Sequence, residues 1–156
     1  NYLGVDARDV ERHGRDVGRG DAGRWRADAD IASFDLIDID AYGWPWSHYV
    51  VACRKLAGRT RPIGFALTDG AGLTLMLNKM QSRVRRLLGW RTHDQVRWAG
   101  ASFSSRYRDQ LIGAMVTHGA AVAGMRVAES AQSRVRKHNN EVIYAALLLV
   151  PAGADG

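Results

Sequence analysis

Between Phe34 and Pro45 the chain reads Phe-Asp-Leu-Ile-Asp-Ile-Asp-Ala-Tyr-Gly-Trp-Pro, an apolar run that stops abruptly in acid, aromatic and glycine. The run predicts a strand over Phe34 to Ile39. Pro45 then fits the first turn of a helix, where a missing N–H is no loss. Trp46, Tyr49, Val50, Cys53 and Leu56 recur at helical spacing up to Gly58, so the helix is expected over Pro45 to Ala57. A second apolar run, Ile63 to Leu67, ends in Thr68-Asp69-Gly70. Strand, helix, strand is a parallel crossover. Ligands of open parallel sheets bind at the carboxyl ends of the strands, so the strand tip Asp40-Ala41-Tyr42-Gly43 stands where chemistry is expected.

Elsewhere the signals are uneven. Tyr2 to Asp6 is a short apolar run ending in an acid, and Arg24 to Asp28 is a candidate short strand. A short helix is possible only near Asp9 to His13. Gly18-x-Gly20-x-x-Gly23 spells a dinucleotide-type pattern, but it follows no strand and opens no apolar helix, so it reads as a loop. An apolar stripe predicts a helix from Ala71 to Leu88, stopped by Gly89. Trp90 to Ser102 reads as irregular. Tyr107, Leu111, Ile112, Met115 and Val116 give a further helix ending near Gly119. Val122 to Ser130 and Glu141 to Val150 read as strands, joined through the polar stretch Gln132 to Asn140 as a long hairpin.

With 156 residues, 46% of them hydrophobic, the composition fits one domain with a real core. No apolar run approaches the roughly 20 residues of a membrane helix, and a soluble, cytoplasmic protein without membrane association is expected. The single cysteine, Cys53, forms no internal disulfide and reads as a core residue. The formal charge is +6. Lys79, Arg83, Arg85, Arg86, Arg91, Arg97, Arg106 and Arg108 cluster, with only Asp94 and Asp109 as nearby acids. Such a cluster favours a polyanion, RNA or DNA, and its alternative is a solvated basic helix face. No metal-ligand spacing and no Ser-His-Asp arrangement is discernible. His48 reads as structural, and His138 with Lys137 and Arg136 as a basic hairpin surface.

The Asp38-x-Asp40-Ala41-Tyr42-Gly43-x-Pro45 stretch resembles the fourth-strand motif of class I S-adenosylmethionine-dependent methyltransferases, most closely that of the tRNA guanine-N2 dimethyltransferases. Ala41 replaces the family's proline and Tyr42 its phenylalanine. The specific resemblance covers Tyr2 to Gly70; beyond it only the order of elements agrees. It implies an α/β fold, a Rossmann-like, mostly parallel sheet closed by an antiparallel C-terminal strand pair. Tyr2 to Asp6 then corresponds to strand two, Arg24 to Asp28 to strand three, Phe34 to Asp40 to strand four and Ile63 to Thr68 to strand five. Strand one and its glycine-rich cofactor loop have no counterpart, so residues 1–156 are expected to be a single, N-terminally truncated methyltransferase-like domain. On that expectation Tyr2 to Asp6 pairs directly with Phe34 to Ile39 or hangs loose, an apolar sheet edge is exposed, and the chain alone binds the cofactor weakly.

The resemblance also implies roles. Asp6 would accept from the ribose hydroxyls of S-adenosylmethionine, with helix capping as the alternative. Asp28 and Ala29 would contact the adenine, Asp30 being the fallback. Asp40 would hold the hydrogens of a target amino group and aim its lone pair, unless it only caps the turn before Pro45. Tyr42 would give a flipped base a flat face and Gly43 would allow close backbone approach. Thr68 and Asp69 would border the substrate, unless they form an ordinary turn, and Arg83, Arg85 and Arg86 would meet phosphate. Ala41 leaves the methylated atom open. The function expected is methyl transfer to nucleic acid, at a base amino group. The alternatives are a small-molecule or protein methyltransferase of the same fold, and a non-catalytic nucleic-acid-binding module.

Overall fold

The structure, a computed structural model, describes residues 2–6, 31–40, 44–70, 100–137 and 140–153. Strand β1 spans Tyr2–Asp6 and β2 spans Leu36–Asp40. Helix α1 is Trp46–Lys55 and β3 is Ile63–Asp69. Helix α2 is Gly100–Ala123, followed by β4, Met125–Lys137, and β5, Asn140–Pro151. They build one five-stranded mixed sheet in the order β1-β2-β3-β5-β4. β1, β2 and β3 run parallel; β5 is antiparallel to both β3 and β4. Tyr2 to Asp6 pairs directly with β2, Tyr2 opposite Leu36 and Asp6 opposite Asp40.

Strand alternation decides the two faces of the sheet. Ile37 and Ile39 of β2, Ile63, Phe65 and Leu67 of β3, and Ile143, Ala145, Leu147 and Leu149 of β5 are all buried. Against that face lie Trp46, Tyr49, Val50 and Cys53 of α1 and Leu111, Ile112, Met115 and Val116 of α2. The ring of Tyr49 meets Phe65 edge-on at 5.0 Å and Trp46 at 6.2 Å, so aromatic edges bind helix to sheet. The opposite face is partly open: Asp38, Asp40, Ala66 and Thr68 are half-buried, and Tyr144 is exposed.

Glycines set the helix limits in two ways. Gly58 and Gly124 have φ of 83° and 70° and end α1 and α2, as a residue without Cβ can. Gly119 does not end α2, contrary to the sequence reading. It lies inside the helix because a Cβ there would stand 2.3 Å from Cε1 of Tyr49, so its missing side chain lets α1 and α2 approach. Three further expectations are corrected. Val122 and Ala123 belong to α2, and β4 begins at Met125. Gln132 to Lys137 is strand, and only residues 138–139 separate the two strands. Gly100 to Ser102, expected to be irregular, opens α2. The stretch Gln132 to Arg136 is exposed on both faces at the sheet edge, which removes the apolar alternation that marks a buried strand. The expected strand at Arg24 to Asp28, the helices near Asp9 to His13 and at Ala71 to Leu88, and the glycine loop lie outside the described residues.

Candidate functional site

The three parallel strands bring Asp6, Asp40 and the Thr68-Asp69 pair to one end of the sheet. Asp6 and Asp40 are register partners, and Ile39 pairs with Leu67, so Asp40 and Thr68 follow at one level. Phase along the strand separates the two residues of the second pair. Thr68 is half-buried on the same face as Asp38 and Asp40, whereas Asp69 continues the buried series Ile63, Phe65, Leu67.

Asp69 is held on the helix side. Its Oδ1 is 2.9 Å from Nη2 of Arg108, and its Oδ2 accepts from Nε1 of Trp46 at 3.0 Å and from Nε of Arg108 at 3.4 Å. Nη2 of Arg108 also donates to the Asp69 carbonyl at 3.0 Å, and Nη1 meets Oε2 of Glu141 at 3.1 Å and the Glu141 carbonyl at 3.3 Å. Arg108 is 1% exposed and Asp69 0%. One planar fork therefore ties the start of α2 to the end of β3 and the start of β5, while Trp46 ties in α1. The carboxylate of Asp69 is turned away from the face that carries Asp40. Arg108, counted in the basic cluster by sequence, is a buried partner of two acids and not a surface charge.

Sequence reasoning missed this network, although its signal was present. Arg108 precedes Leu111, Ile112 and Met115 by three, four and seven residues, which puts a charge on an apolar helical stripe. Asp69 is likewise in phase with an apolar strand face. Buried charges in such positions are paired.

Tyr42, Gly43, Asp28, Ala29, Arg83, Arg85 and Arg86 lie outside the described residues, and of Asp6 only the backbone register is described. Trp44, half-buried within the motif just before Pro45, carries an Nε1 that is out of solvent with no hydrogen-bond partner among the described residues. At the other end of the sheet is a depression of about 270 Å³ between Ala32 and the Lys55 to Arg61 turn. Its arginines are already engaged. Arg59 donates to the carbonyls of Ala32, Arg61 and Pro62 and pairs with Asp35, as does Arg61.

Cys53 is fully buried, and burial pushes its thiol up to about 12, a shift that the hydrogen bond with Tyr49 partly offsets. It is a core residue. His48 is half-buried on α1; His138 lies outside the described residues. Among the described residues no group of three His, Cys, Asp or Glu is placed to hold a metal ion, and no helix is long and apolar enough to cross a membrane. No family model, curated protein or solved structure matches the chain.

Proposed function

We propose that this chain is an S-adenosylmethionine-dependent methyltransferase acting on nucleic acid, with a base amino group as acceptor. The observation that carries the reading is the sheet itself. Three parallel strands ending in Asp6, Asp40 and Thr68-Asp69, followed by an antiparallel pair, support strands two, four and five and the closing pair of the fold that the sequence resembles, with β1 set directly against β2 where that fold has strand one between them.

The residues at the strand ends fit the cofactor. The position of Asp6 beside Asp40 allows one carboxylate to take the ribose hydroxyls while the other serves the acceptor. The unpartnered Trp44 Nε1 is a donor near the end of β2 that a bound group could satisfy. When bound, S-adenosylmethionine supplies an activated methyl group. Asp28 and Ala29 hold the adenine. Asp40 accepts the hydrogens of the amino group, so that the nitrogen lone pair leaves conjugation with the ring and points at the methyl carbon. Tyr42 supports the base, Gly43 admits it, and Thr68 lies beside Asp40 on the same face. Asp69 positions the end of β3 through Arg108. Phosphate falls to Arg83, Arg85 and Arg86, and the exposed Arg136 lies near the tip of the β4–β5 hairpin at the same end of the sheet.

The test is titration calorimetry of S-adenosylmethionine into the protein, with any native flanking residues included, followed by nucleic-acid binding against salt. Saturable binding is expected. Replacing Arg83, Arg85 and Arg86 with glutamine is expected to flatten the salt dependence, because fewer counterions are released. Absence of cofactor binding overturns the reading.

A further inference from the structure

We infer that β4 is the dimerisation edge of this protein, pairing antiparallel with β4 of a second copy about a two-fold axis at Ser133. β4 is 13 residues long and has a neighbour on one side only among the described strands. From Ala128 to Arg136 every residue is exposed. Sheet edges of this length are ordinarily blunted by charged side chains, proline, a bulge or a cover. β4 contains no proline, its one irregularity, between Val127 and Glu129, comes before the stretch 130–136, and its Arg134 and Arg136 charges are already paired within the chain.

The occupant follows from the register. A two-fold axis normal to the sheet keeps each residue on its own face, so residues of the same phase must meet. Centred on Ser133, the pairing sets Ala131 opposite Val135 and Glu129 opposite Lys137 of the second copy, each pair occurring twice. Val135 is 51% exposed, Tyr144 lies across from Ser133 at 48% exposed, and Ala146 lies across from Ala131, also exposed. This is an apolar strip with a small residue at its centre, where both tyrosines can close over the seam. On the other face Gln132 meets Arg134, and Arg134 is already held by Asp109 of α2 and by Glu141, so the strand is fixed before it pairs. The strip is self-complementary in charge and in shape, which an unrelated extended peptide would not be.

Sedimentation velocity over a concentration series, with hydrogen exchange of the β4 amides, tests this. The expected result is a monomer–dimer equilibrium with concentration-dependent protection of Ser130 to Arg136. Glu129→Lys and Lys137→Glu should each weaken the dimer about tenfold through two like-charge pairs, and the double swap should restore it. Val135→Asp should give monomer with an unchanged circular dichroism spectrum. A monomer at all concentrations overturns the inference. So does a dimer indifferent to these substitutions, or a charge swap that fails to restore pairing.

Discussion

The guanidinium of Arg108 lies 2.9 Å from Oδ1 of Asp69, and neither side chain reaches solvent. The pair closes the carboxyl end of β3 on the helix side, so the open side at that end belongs to Asp40 and Thr68. Removing Arg108 leaves the Asp69 carboxylate buried without its guanidinium partner. Arg108→Met is expected to cost about 3–5 kcal/mol in urea unfolding, and Arg108→Met combined with Asp69→Leu to recover most of it, because the uncompensated charge is then gone. A single variant within about 1 kcal/mol of wild type would show that the pair is not buried in solution.

Helix α1 rests on α2 where Gly119 leaves room for the Tyr49 ring, whose hydroxyl donates to the Val116 carbonyl at 3.1 Å. Alanine is the better helix former by about 1 kcal/mol, so Gly119→Ala ought to stabilise a free helix. Here the added methyl meets the ring, and overpacking of about 1–3 kcal/mol should win. Thermal unfolding checks the sign. Tyr49→Leu should make the same glycine substitution milder, a coupling that independent sites do not show.

Burial lifts the Cys53 thiol from its ordinary 9.0 to about 12 and pushes the Tyr49 hydroxyl up as well. Both groups are neutral when protonated, so the folded state holds those protons more tightly than the unfolded one. The Cys53 contribution is complete below pH 9 and is lost as pH rises from 9 towards 12, while that of Tyr49 falls only above its ordinary value of 10.0. The slope per group is at most about 1.4 kcal/mol per pH unit. Cys53→Ala should flatten the alkaline fall in stability measured by denaturant titration at pH 8 to 11. At pH 8 the native thiol should not react with a disulfide reagent, and it should react fully in urea. Rapid modification of the native protein would contradict its burial.

What the sequence made legible follows the burial of each element. β1, β2, α1 and β3 pack one clear face or end in a sharp polar tip, and their residues show it: Ile37 and Ile39 alternate, Trp46, Tyr49 and Cys53 keep helical spacing, and Gly58 stops the turn. The second half of β4, from Ala131 onward, escaped because Ala131 to Arg136 is bare on both faces and carries no period. The end of α2 was misplaced because a glycine used for contact with Tyr49 and a glycine used for left-handed φ look alike in sequence. The strand end at Asp40 was legible from the abrupt stop of its apolar run. The opposite facing of Thr68 and Asp69, and the reach of Arg108 across nearly forty residues of chain, needed the sheet register and the packed helix.

The central claim is that Asp40 orients an amino group for methylation while contributing little to the fold. The direct measurement is transfer of a tritiated methyl group from S-adenosylmethionine to RNA and to DNA, comparing wild type with Asp40→Ala and Asp40→Asn, any native flanking residues included. The account predicts incorporation by the wild type and a kcat lowered about a hundredfold or more in Asp40→Ala, with unfolding midpoint and cofactor affinity nearly unchanged. Incorporation at the wild-type rate in Asp40→Ala, or none by the wild type on either nucleic acid, would contradict it.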